Sequence, residues 1–539
     1  MKKIAWLIII LTFFTAFSPD SVSAQSDLEI WCLAQGETWD PTTSTCTVNG
    51  STTNTNTILT ISLGETLHNN GTIENDFEIY NYGTIINVGT INNSGTIDNT
   101  DRFYNGDTIN NGGTIDNTGT TYNLGTVDNN GFINNEGGIY NGDPEPDPFL
   151  IGFIENYGDI YNDGYIYNCY DCVINNAGAI DNYGTIDNEG GISTFNNGSF
   201  INGSNLYNNG GDIFINNNGT FSNGGNLYND DSGGVWIRNN GTFNNDGIIQ
   251  NNNISLISNS GIIDNNGTIS NTDAFISNEG TIDNFGIIEN YGAMSNYHTI
   301  INDGTIDNDD TIDNYGAIYN DGTIENHGAI RNKRYGSTII NDDIINNDGT
   351  IENFGTITNN STLYNNGTIY ICGGIYNGNP PYGNPLVNNC PLGVWCSNEG
   401  QVWDPATSTC TIYEALLNIT LPVLEGESIQ ISGIFSIDGT IINNGTIINN
   451  GTIGNAGTIT NNSIIINYDI INNDGTIENF VTITNNGTFY NNGTIDNNGT
   501  FYNYGTIDNK CVGTYIGNPP NGNPNIAIAC AYLPICRMD

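Results

Sequence analysis

The residues whose spacing most clearly indicates chemistry are cysteines, of which the chain has eleven. Cys32 and Cys46 are fourteen residues apart and enclose a Trp-Asp-Pro motif. Cys396 and Cys410 repeat both the spacing and the motif. Disulfides Cys32–Cys46 and Cys396–Cys410 are the natural inference, and each closes a small loop that contributes about 3 kcal/mol through loop entropy. The sequence therefore predicts two copies of a disulfide-pinned cap.

A second cysteine module also occurs twice and contains a Gly-Asn-Pro-Pro motif. It predicts disulfides Cys372–Cys390 and Cys511–Cys530. Proline cannot donate a hydrogen bond to a β-ladder, so these segments are expected to end runs of strands. Their predicted role is to close solenoid ends against further strand pairing.

Three cysteines lie outside these modules. Cys169 and Cys172 coincide with a two-residue insertion in the repeat, and export favours a local disulfide there over a redox site. Cys536 is left unpaired. It follows Cys530 at the spacing that starts another cap, so it marks either a truncated cap or a thiol for an intermolecular disulfide.

Acidic residues dominate the charge, with 57 Asp and Glu against 9 Lys and Arg and a formal net charge of −48. The negative electrostatic potential of such a chain repels phosphate backbones and anionic membranes, which excludes nucleic acid as a partner. No cofactor and no defined metal site are predicted, only loosely bound divalent cations that screen the acids. The acids that recur at one position of the repeat include Glu74, Asp98, Asp116, Asp187, Asp283, Glu289, Asp307, Asp313 and Glu325.

Catalysis has little support in the sequence. Acids occur in nearly every repeat, so no pair of carboxylates is locally distinctive. The basic cluster of Arg331, Lys333 and Arg334 is interpreted as a loop that interrupts the repeat. No catalytic setting is visible around the histidines, which are His68, His298 and His327. The chain is therefore predicted not to be an enzyme.

Asn-Gly-Thr tripeptides form another candidate site class, because each is an acceptor sequence for N-glycosylation. The repeat itself generates this tripeptide, so modification depends on a host that glycosylates exported proteins. The candidate asparagines are Asn70, Asn218, Asn240, Asn266, Asn366, Asn444, Asn450, Asn486, Asn492 and Asn498.

The element that must position all these residues is a hexapeptide, Gly-Thr-Ile-x-Asn-x. Twelve consecutive hexads run over 71–142 and twelve more over 439–510. A period of six fits neither an α-helix nor a coiled coil but fits a strand and corner of a stacked β-solenoid. Alternation points Ile inward and the second and fourth residues outward. Glycine is expected to supply a positive φ at the corner. Asparagine is expected to sit at the bend and to form hydrogen-bonded ladders.

The number of hexads in one turn is left open by the sequence. Tyr104, Tyr122 and Tyr140 recur every eighteen residues, which favours a three-sided turn. Tyr490 and Tyr502 are twelve residues apart, which favours a two-sided turn. Eighteen is the preferred prediction.

These GTIxNx strings resemble the hexapeptide β-solenoids of secreted adhesin-like and surface-layer-associated proteins. The resemblance covers about three-quarters of the chain after the signal peptide. It implies an all-β, elongated β-solenoid (β-helix) with small disulfide-pinned caps. Acyltransferase hexapeptides differ, because glycine here occupies the place of their small inward residue.

The predicted domains follow from these patterns. Lys2 and Lys3, an apolar stretch and a small-residue cleavage site indicate a signal peptide, and hence a secreted or cell-surface protein. The domains are 1–24 signal peptide, 25–70 first cap and strands, 71–371 first solenoid block (looser at 190–260), 372–438 clasp and second cap, 439–510 second block, and 511–539 final clasp.

The predicted function is a structural or adhesive protein of the cell surface or extracellular matrix. Its expected partners are other surface or matrix components, glycans or further copies of itself, without membrane insertion. The alternative is a polysaccharide-binding or polysaccharide-degrading β-helix protein. The Trp-Asp-Pro motif, which resembles part of small chitin-binding modules, favours that alternative.

Overall fold

The computed structural model describes residues 25–142, 151–238, 240–333, 336–388, 390–509, 513–522 and 526–527. The predicted signal peptide, Arg334, Cys511, Cys530 and Cys536 lie outside the described residues. Two compact units divide after Phe243, and each is described by itself. The described helices are α1 (Asp27–Ala34) and α2 (Leu392–Asn398). The rest of the regular structure is β-strand, which confirms the all-β prediction.

The strands of the first unit are mostly four residues long. In chain order β1 to β30 are Thr38–Asp40, Thr45–Val48, Ser51–Asn54, Leu59–Ile61, Thr66–Asn69, Thr72–Asn75, Glu78–Asn81, Thr84–Asn87, Thr90–Asn93, Thr96–Asn99, Arg102–Asn105, Thr108–Asn111, Thr114–Asn117, Thr120–Asn123, Thr126–Asn129, Phe132–Asn135, Gly138–Asn141, Phe153–Asn156, Asp159–Asn162, Tyr165–Asn168, Val173–Asn176, Ala179–Asn182, Thr185–Asn188, Gly191–Thr194, Ser199–Asn202, Asn205–Asn209, Asp212–Ile215, Thr220–Asn223, Asn226–Asp230 and Gly234–Ile237.

The division between the units falls within β31 (Thr242–Asn245), and the remaining strands belong to the second unit. In chain order β32 to β70 are Ile248–Asn252, Leu256–Asn259, Ile262–Asn265, Thr268–Asn278, Thr281–Asn284, Ile287–Asn296, Thr299–Asn302, Thr305–Asn308, Thr311–Asn314, Ala317–Asn320, Thr323–Asn326, Ala329–Asn332, Thr338–Asn341, Ile344–Asn347, Thr350–Asn353, Thr356–Asn359, Thr362–Asn365, Thr368–Ile371, Ile375–Gly378, Tyr382–Gly383, Val402–Asp404, Thr409–Leu417, Thr420–Val423, Ser428–Ile437, Thr440–Asn443, Thr446–Asn449, Thr452–Asn455, Thr458–Asn461, Ile464–Asn467, Ile470–Asn473, Thr476–Asn479, Thr482–Asn485, Thr488–Asn491, Thr494–Asn497, Thr500–Asn503, Thr506–Asn509, Thr514–Gly517, Asn521–Gly522 and Ile526–Ala527.

Both units are β-solenoids whose regular turn contains three strands. β11 pairs in parallel with β8 and β14, the third strands before and after it, so each strand belongs to one of three faces. Asn93 and Asn111, which are stacked, are 18 residues apart. In the second block Tyr490 pairs with Asp508 and not with Tyr502. The eighteen-residue turn is confirmed, and the twelve-residue alternative is wrong.

Each hexad buries its third and fifth residues and leaves the second and fourth half-exposed, as β12 shows in nearly regular form. Asn111, at the fifth position, is 1% exposed and accepts a hydrogen bond from Asn93 (2.7 Å). Its own Nδ2 donates to Asn129 Oδ1 at 2.7 Å and to Phe132 O at 3.2 Å. The predicted ladder is confirmed. The predicted capping of backbone groups at the bend is confirmed as well, since Asn111 Nδ2 donates to Gly113 O at 3.3 Å. The left-handed backbone is wrong, because Asn111 is not among the described residues with a positive φ.

Glycine at the first position does not have the positive φ that the sequence predicted. Gly71 and Gly89 are absent from the positive-φ residues among those described. A Cβ at Gly89 would instead overlap the carbonyl oxygen of Gly71, one turn earlier. At Gly89 the stacked corners approach so closely that only a hydrogen atom fits, which is the physical reason for glycine at this corner. Other corners have Phe77, Asp101 or Val481 at the first position.

The looser region of the first unit consists of wider turns. Asn188 and Asn208 stack at a separation of 20 residues, and Asn202 and Asn223 at 21. The inserted residues sit at corners, where Asn197 and other polar residues adopt a positive φ. Two of the three ladders continue into these turns, through Asn182, Asn202 and Asn223 and through Asn188, Asn208 and Asn229. On the third face Thr194, Ile215 and Ile237 replace asparagine in register, so the ladder is interrupted there while the strand pairing persists.

Four predicted disulfides are present among the described residues. They join Cys32 to Cys46, Cys169 to Cys172, Cys372 to Cys390 and Cys396 to Cys410. We call 27–48 the N-terminal cap, 392–412 the internal cap, 372–390 the internal clasp and 513–522 the C-terminal clasp. Each cap contains a short helix and an antiparallel two-stranded hairpin.

Candidate functional site

Acidic side chains at the fourth hexad position form columns on the outside of the turns. Glu289, Asp307 and Glu325 occupy directly paired positions of three successive strands. Asp98 pairs with Asp116 in the same way. Partial burial and then the charge of Asp116 raise the pKa of Asp98. Like charges that face each other across paired strands oppose stacking, and cations that neutralise them relieve the repulsion.

One acid column contains a basic residue that balances it. Arg331 lies between Asp313 and Glu352 on adjacent strands. Its guanidinium is 3.6 Å from Asp313 Oδ1 and 3.5 Å from Glu352 Oε2. Lys333 Nζ is 3.5 Å from Asp313 Oδ1. Burial raises the pKa of Glu352, and the two basic charges lower it. Arg331 is therefore part of a regular strand, and only the residues after it belong to the predicted interruption.

The mixed cluster of Asp307, Asp309 and His327 offers three ligand atoms within 4.8 Å of one another. His327 Nδ1 also lies 3.6 Å from Asp348 Oδ2. Burial and the charge of Asp309 raise the pKa of Asp307. Two carboxylates and an imidazole suit a divalent metal. Among the described residues, the solvent-shielded Oδ1 of Asp307 lacks a hydrogen-bond partner, and so does that of Asp283. Both are fourth residues of a hexad, so this property does not distinguish the cluster.

The caps present one tryptophan inward and one toward solvent. Trp31 and Trp395 are buried, at 7% and 2% exposure. Trp39 and Trp403 are half-exposed and pair across the hairpin with the second cysteine of each cap. A Cβ at Gly393 would touch the Trp403 indole, so this ring lies against its helix. Trp39 and Trp403 each keep part of their surface exposed to solvent.

The Asp-Pro turn is built alike in both caps. Asp40 accepts hydrogen bonds from Thr42 N at 2.8 Å and Thr43 Oγ1 at 2.9 Å, and the first of these is the main cause of its lowered pKa. Asp404 accepts a hydrogen bond from Thr407 Oγ1 at 2.7 Å, which lowers its pKa. These carboxylates hold the turn in shape, so their role is structural.

A cavity of about 140 Å³ lies where the internal cap meets the end of the preceding solenoid turns. Lys333, Phe354 and Cys372 line it from the solenoid side, and Trp395 and Asn398 from the cap side. Asn398 Oδ1 is shielded from solvent and has no hydrogen-bond partner among the described residues. Water in this space would satisfy that oxygen.

The glycosylation candidates all lie at corners between strands. Asn492 is half-exposed, and the other nine asparagines are exposed. The Nδ2 atoms of Asn366 and Asn492 donate to carboxylates one turn earlier, at 2.9 Å and 2.7 Å. Access is therefore no obstacle to modification, which stays a prediction.

The sequence prediction missed the histidine cluster and the junction cavity. Asp309 and His327 occupy the sixth position of hexads one turn apart, so the eighteen-residue period was the signal that could have found them. Phe354 also occupies a sixth position, and its partner across the cavity lies in another module. Repetition within a block cannot reveal a contact between modules.

No protein-family model and no curated protein matches this chain. Within the described residues, no helix is long and apolar enough to cross a membrane.

Proposed function

We propose that this chain is an exported structural or adhesive protein of the cell surface or extracellular matrix, without catalytic activity. The observation that carries the proposal is the uniformity of the stacked turns. Threonine, acids and asparagine recur in register on the outside, one turn after another, as in Asp98 and Asp116. Such a surface offers many equal, weak contacts to an extended partner, and multivalency converts these into strong attachment.

Along the Ile columns of the described turns, two spaces between the side chains are too small to hold a ligand. The space along the Ile column of the second block amounts to about 10 Å³, and that of the first unit near Phe103 to about 30 Å³. Small-molecule sites need several hundred Å³. Binding is therefore assigned to the outer faces.

Export is supported by the disulfides, because such bonds persist in oxidising compartments. Four of them occur among the described residues. We include cleavage of residues 1–24 and glycosylation at the exposed corner asparagines in the proposal. Mass spectrometry of the secreted protein tests both: an N-terminus at Gln25 and glycan masses support them, whereas an intact leader or the bare polypeptide mass contradicts the corresponding part.

Adhesion and catalysis are separated by two assays on the same secreted protein. We expect cells or beads coated with the chain to bind extracellular-matrix or cell surfaces, and binding to weaken when EDTA removes divalent cations. A panel of pectins, alginates and glycosaminoglycans should yield no new reducing ends or unsaturated products. Robust turnover of any of these polymers would overturn the non-catalytic assignment.

A second candidate function is polysaccharide binding through the caps, which the half-exposed Trp39 and Trp403 favour. A sugar ring stacks well on the free part of an indole. On a glycan array, this function predicts binding that is lost in the double variant Trp39→Ala and Trp403→Ala. Tyr413→Ala, an exposed aromatic beside the internal cap, is the matched control. Binding that survives the double variant contradicts this candidate.

A further inference from the structure

One corner of the second unit brings an imidazole against two carboxylates. Asp307 and Asp309 belong to one turn, and His327 lies one turn later at the hexad position that Asp309 occupies. Each of the three side chains offers one ligand atom, and these atoms lie within 4.8 Å of one another. Among the residues that the structure describes, this is the one place where three such atoms meet so closely. The histidine therefore distinguishes this corner from the acid columns.

The backbone of the adjacent turns fixes the positions of these side chains. His327 N donates to Asn308 O at 2.8 Å, and Asn308 lies between the two aspartates in the chain. The side chain of Asn308 continues the buried ladder by donating to Asn326 Oδ1 at 2.8 Å. Ligand residues that flank paired strands keep their relative positions, so little rearrangement is needed when an ion binds.

Asp348 approaches the imidazole from the following turn. Its Oδ2 lies 3.6 Å from His327 Nδ1, and its Oδ1 accepts a hydrogen bond from Asn366 Nδ2 at 2.9 Å. A histidine that binds a metal through one ring nitrogen usually donates from the other to a carboxylate, which fixes the orientation of the ring. Asp348 is placed for this role, because Asn366 holds one of its oxygens while the other faces the ring.

The acid that pairs with Asp307 across adjacent strands is engaged elsewhere. This acid is Glu325, whose Oε1 accepts a hydrogen bond from Asn346 Nδ2 at 2.7 Å. The donor set of the corner is therefore two carboxylate oxygens and one imidazole nitrogen. Imidazole together with carboxylates suits Zn²⁺ and neighbouring transition metals, whereas Ca²⁺ and Mg²⁺ are bound by oxygen ligands alone.

We propose that Asp307, Asp309 and His327 bind one transition-metal dication of the Zn²⁺ class, with Asp348 orienting the imidazole. The ion joins two adjacent turns at their corner, and water completes the coordination because the chain supplies three ligands. The fold brings these ligands together, so the bound ion stabilises the folded chain. This site goes beyond the structural and adhesive role and does not depend on it.

Pulsed electron paramagnetic resonance tests the site, because it detects the remote nitrogen of an imidazole that coordinates Cu²⁺. The sample is the full-length secreted protein without a histidine tag, with Cu²⁺ as the probe and excess CaCl2 to occupy the acid columns. We expect the first equivalent of Cu²⁺ to show an imidazole signal. His327→Asn should remove it and is compatible with the fold, since Asn366 occupies the same corner position two turns later. His298→Asn is the matched control, because His298 is also exposed but lies beside Thr299 Oγ1 at 3.0 Å, and it should keep the signal.

Calorimetric titration with Zn²⁺ and thermal unfolding give a second measurement. We expect Asp348→Asn to weaken Zn²⁺ binding by roughly tenfold. Asp342→Asn is its control, because Asp342 accepts the equivalent hydrogen bond from Asn360 at 2.7 Å one hexad earlier, and it should leave the affinity unchanged. Zn²⁺ should also raise the melting temperature of the unmodified chain and not that of His327→Asn.

Two results would overturn the proposal. One is Cu²⁺ coordination without an imidazole signal, or with a signal that survives His327→Asn. The other is an equal Zn²⁺ affinity of the unmodified chain and His327→Asn. Neither result bears on the adhesive role, because attachment to surfaces is measured separately.

Discussion

At the scale of single residues, stability depends on which side of the strand an asparagine faces. Asn110 and Asn111 are neighbours in β12, yet the first is exposed and the second is 1% exposed. Asn110 donates to Asn92 on the surface at 2.7 Å, where water can replace the bond. Asn111 belongs to a buried ladder, where an unpaired amide has no substitute partner.

Replacing Asn111 by alanine should therefore lower the free energy of unfolding by about 2–4 kcal/mol, because it removes the buried hydrogen bond that Asn93 Nδ2 donates to Asn111 and the one that Asn111 donates to Asn129 Oδ1. Asn110→Ala should change it by less than about 0.5 kcal/mol. Urea unfolding followed by circular dichroism measures both. Equal effects of the two variants would contradict the inward placement of the fifth position.

Glycine gives a second prediction at this scale. Gly89→Ala should destabilise the fold by about 1–3 kcal/mol, because the new methyl group meets the Gly71 carbonyl oxygen. Gly454→Ala meets nothing within 4 Å and should be neutral or stabilising by about 0.5 kcal/mol. Thermal unfolding of both variants checks this. A neutral Gly89→Ala would mean that the corners are less tightly stacked.

The sequence could predict the side-chain alternation of each hexad and its asparagine ladder, but not the reason for its glycine. The alternation of Ile and Thr predicted the strand and showed which of its two faces is directed inward. The close approach of Gly89 to Gly71, however, depends on how one corner stacks on the next. A sequence pattern shows that a residue type recurs along the chain. It does not show which atom of the neighbouring turn that residue contacts.

At the scale of strands and columns, stacking of acids sets the response to pH. The pKa values of Asp98, Asp181, Asp283 and Asp307 are raised, in each case by partial burial first and then by neighbouring acids. A raised folded-state pKa means that protonation favours the fold. This stabilisation is complete below the unfolded value of 3.8 and is lost as the pH rises through the higher folded value.

The melting temperature should therefore rise when the pH is lowered from 7 through the raised pKa values of these carboxyl groups, the opposite of ordinary acid denaturation. Asp98→Asn should raise stability at pH 7 by roughly 0.2–1 kcal/mol, because it removes one facing charge. The same variant should also show a weaker dependence of the melting temperature on pH. Thermal scans across this pH range measure both effects, and a melting temperature that falls on acidification would contradict the column account.

The sequence could place these columns only after the turn length was known. Tyr104 with Tyr122 supported eighteen residues, and their rings stack 4.9 Å apart. The spacing of Tyr490 and Tyr502 indicated a twelve-residue turn by coincidence, because the two tyrosines occupy the same hexad position on different faces of the solenoid. Wider turns, such as the 21-residue turn from Asn202 to Asn223, were visible only as a loss of phase.

At the scale of the whole molecule, the acids that give the chain its formal net charge of −48 lie largely on the outside of the turns within the described residues. Adding divalent cations or raising the ionic strength at neutral pH should increase the melting temperature, because screening weakens repulsion between facing acids. Comparing CaCl2 with NaCl at matched ionic strength separates ion bridging from screening. A melting temperature that changes with neither salt would contradict the prediction.

The central claim is an eighteen-residue turn of three hexads, in which the fourth residue of each hexad faces outward and the fifth faces inward. Cysteine cross-linking tests it most directly, because residues at paired positions of adjacent parallel strands are about 4.8 Å apart, within disulfide range. Cysteines that replace Asn92 and Asn110, or Tyr490 and Asp508, should form disulfides in the folded protein. Pairs twelve residues apart, Asn92 with Tyr104 or Tyr490 with Tyr502, should stay reduced under the same mild oxidation. Cross-linking of the twelve-residue pairs in preference to the eighteen-residue pairs would contradict the account.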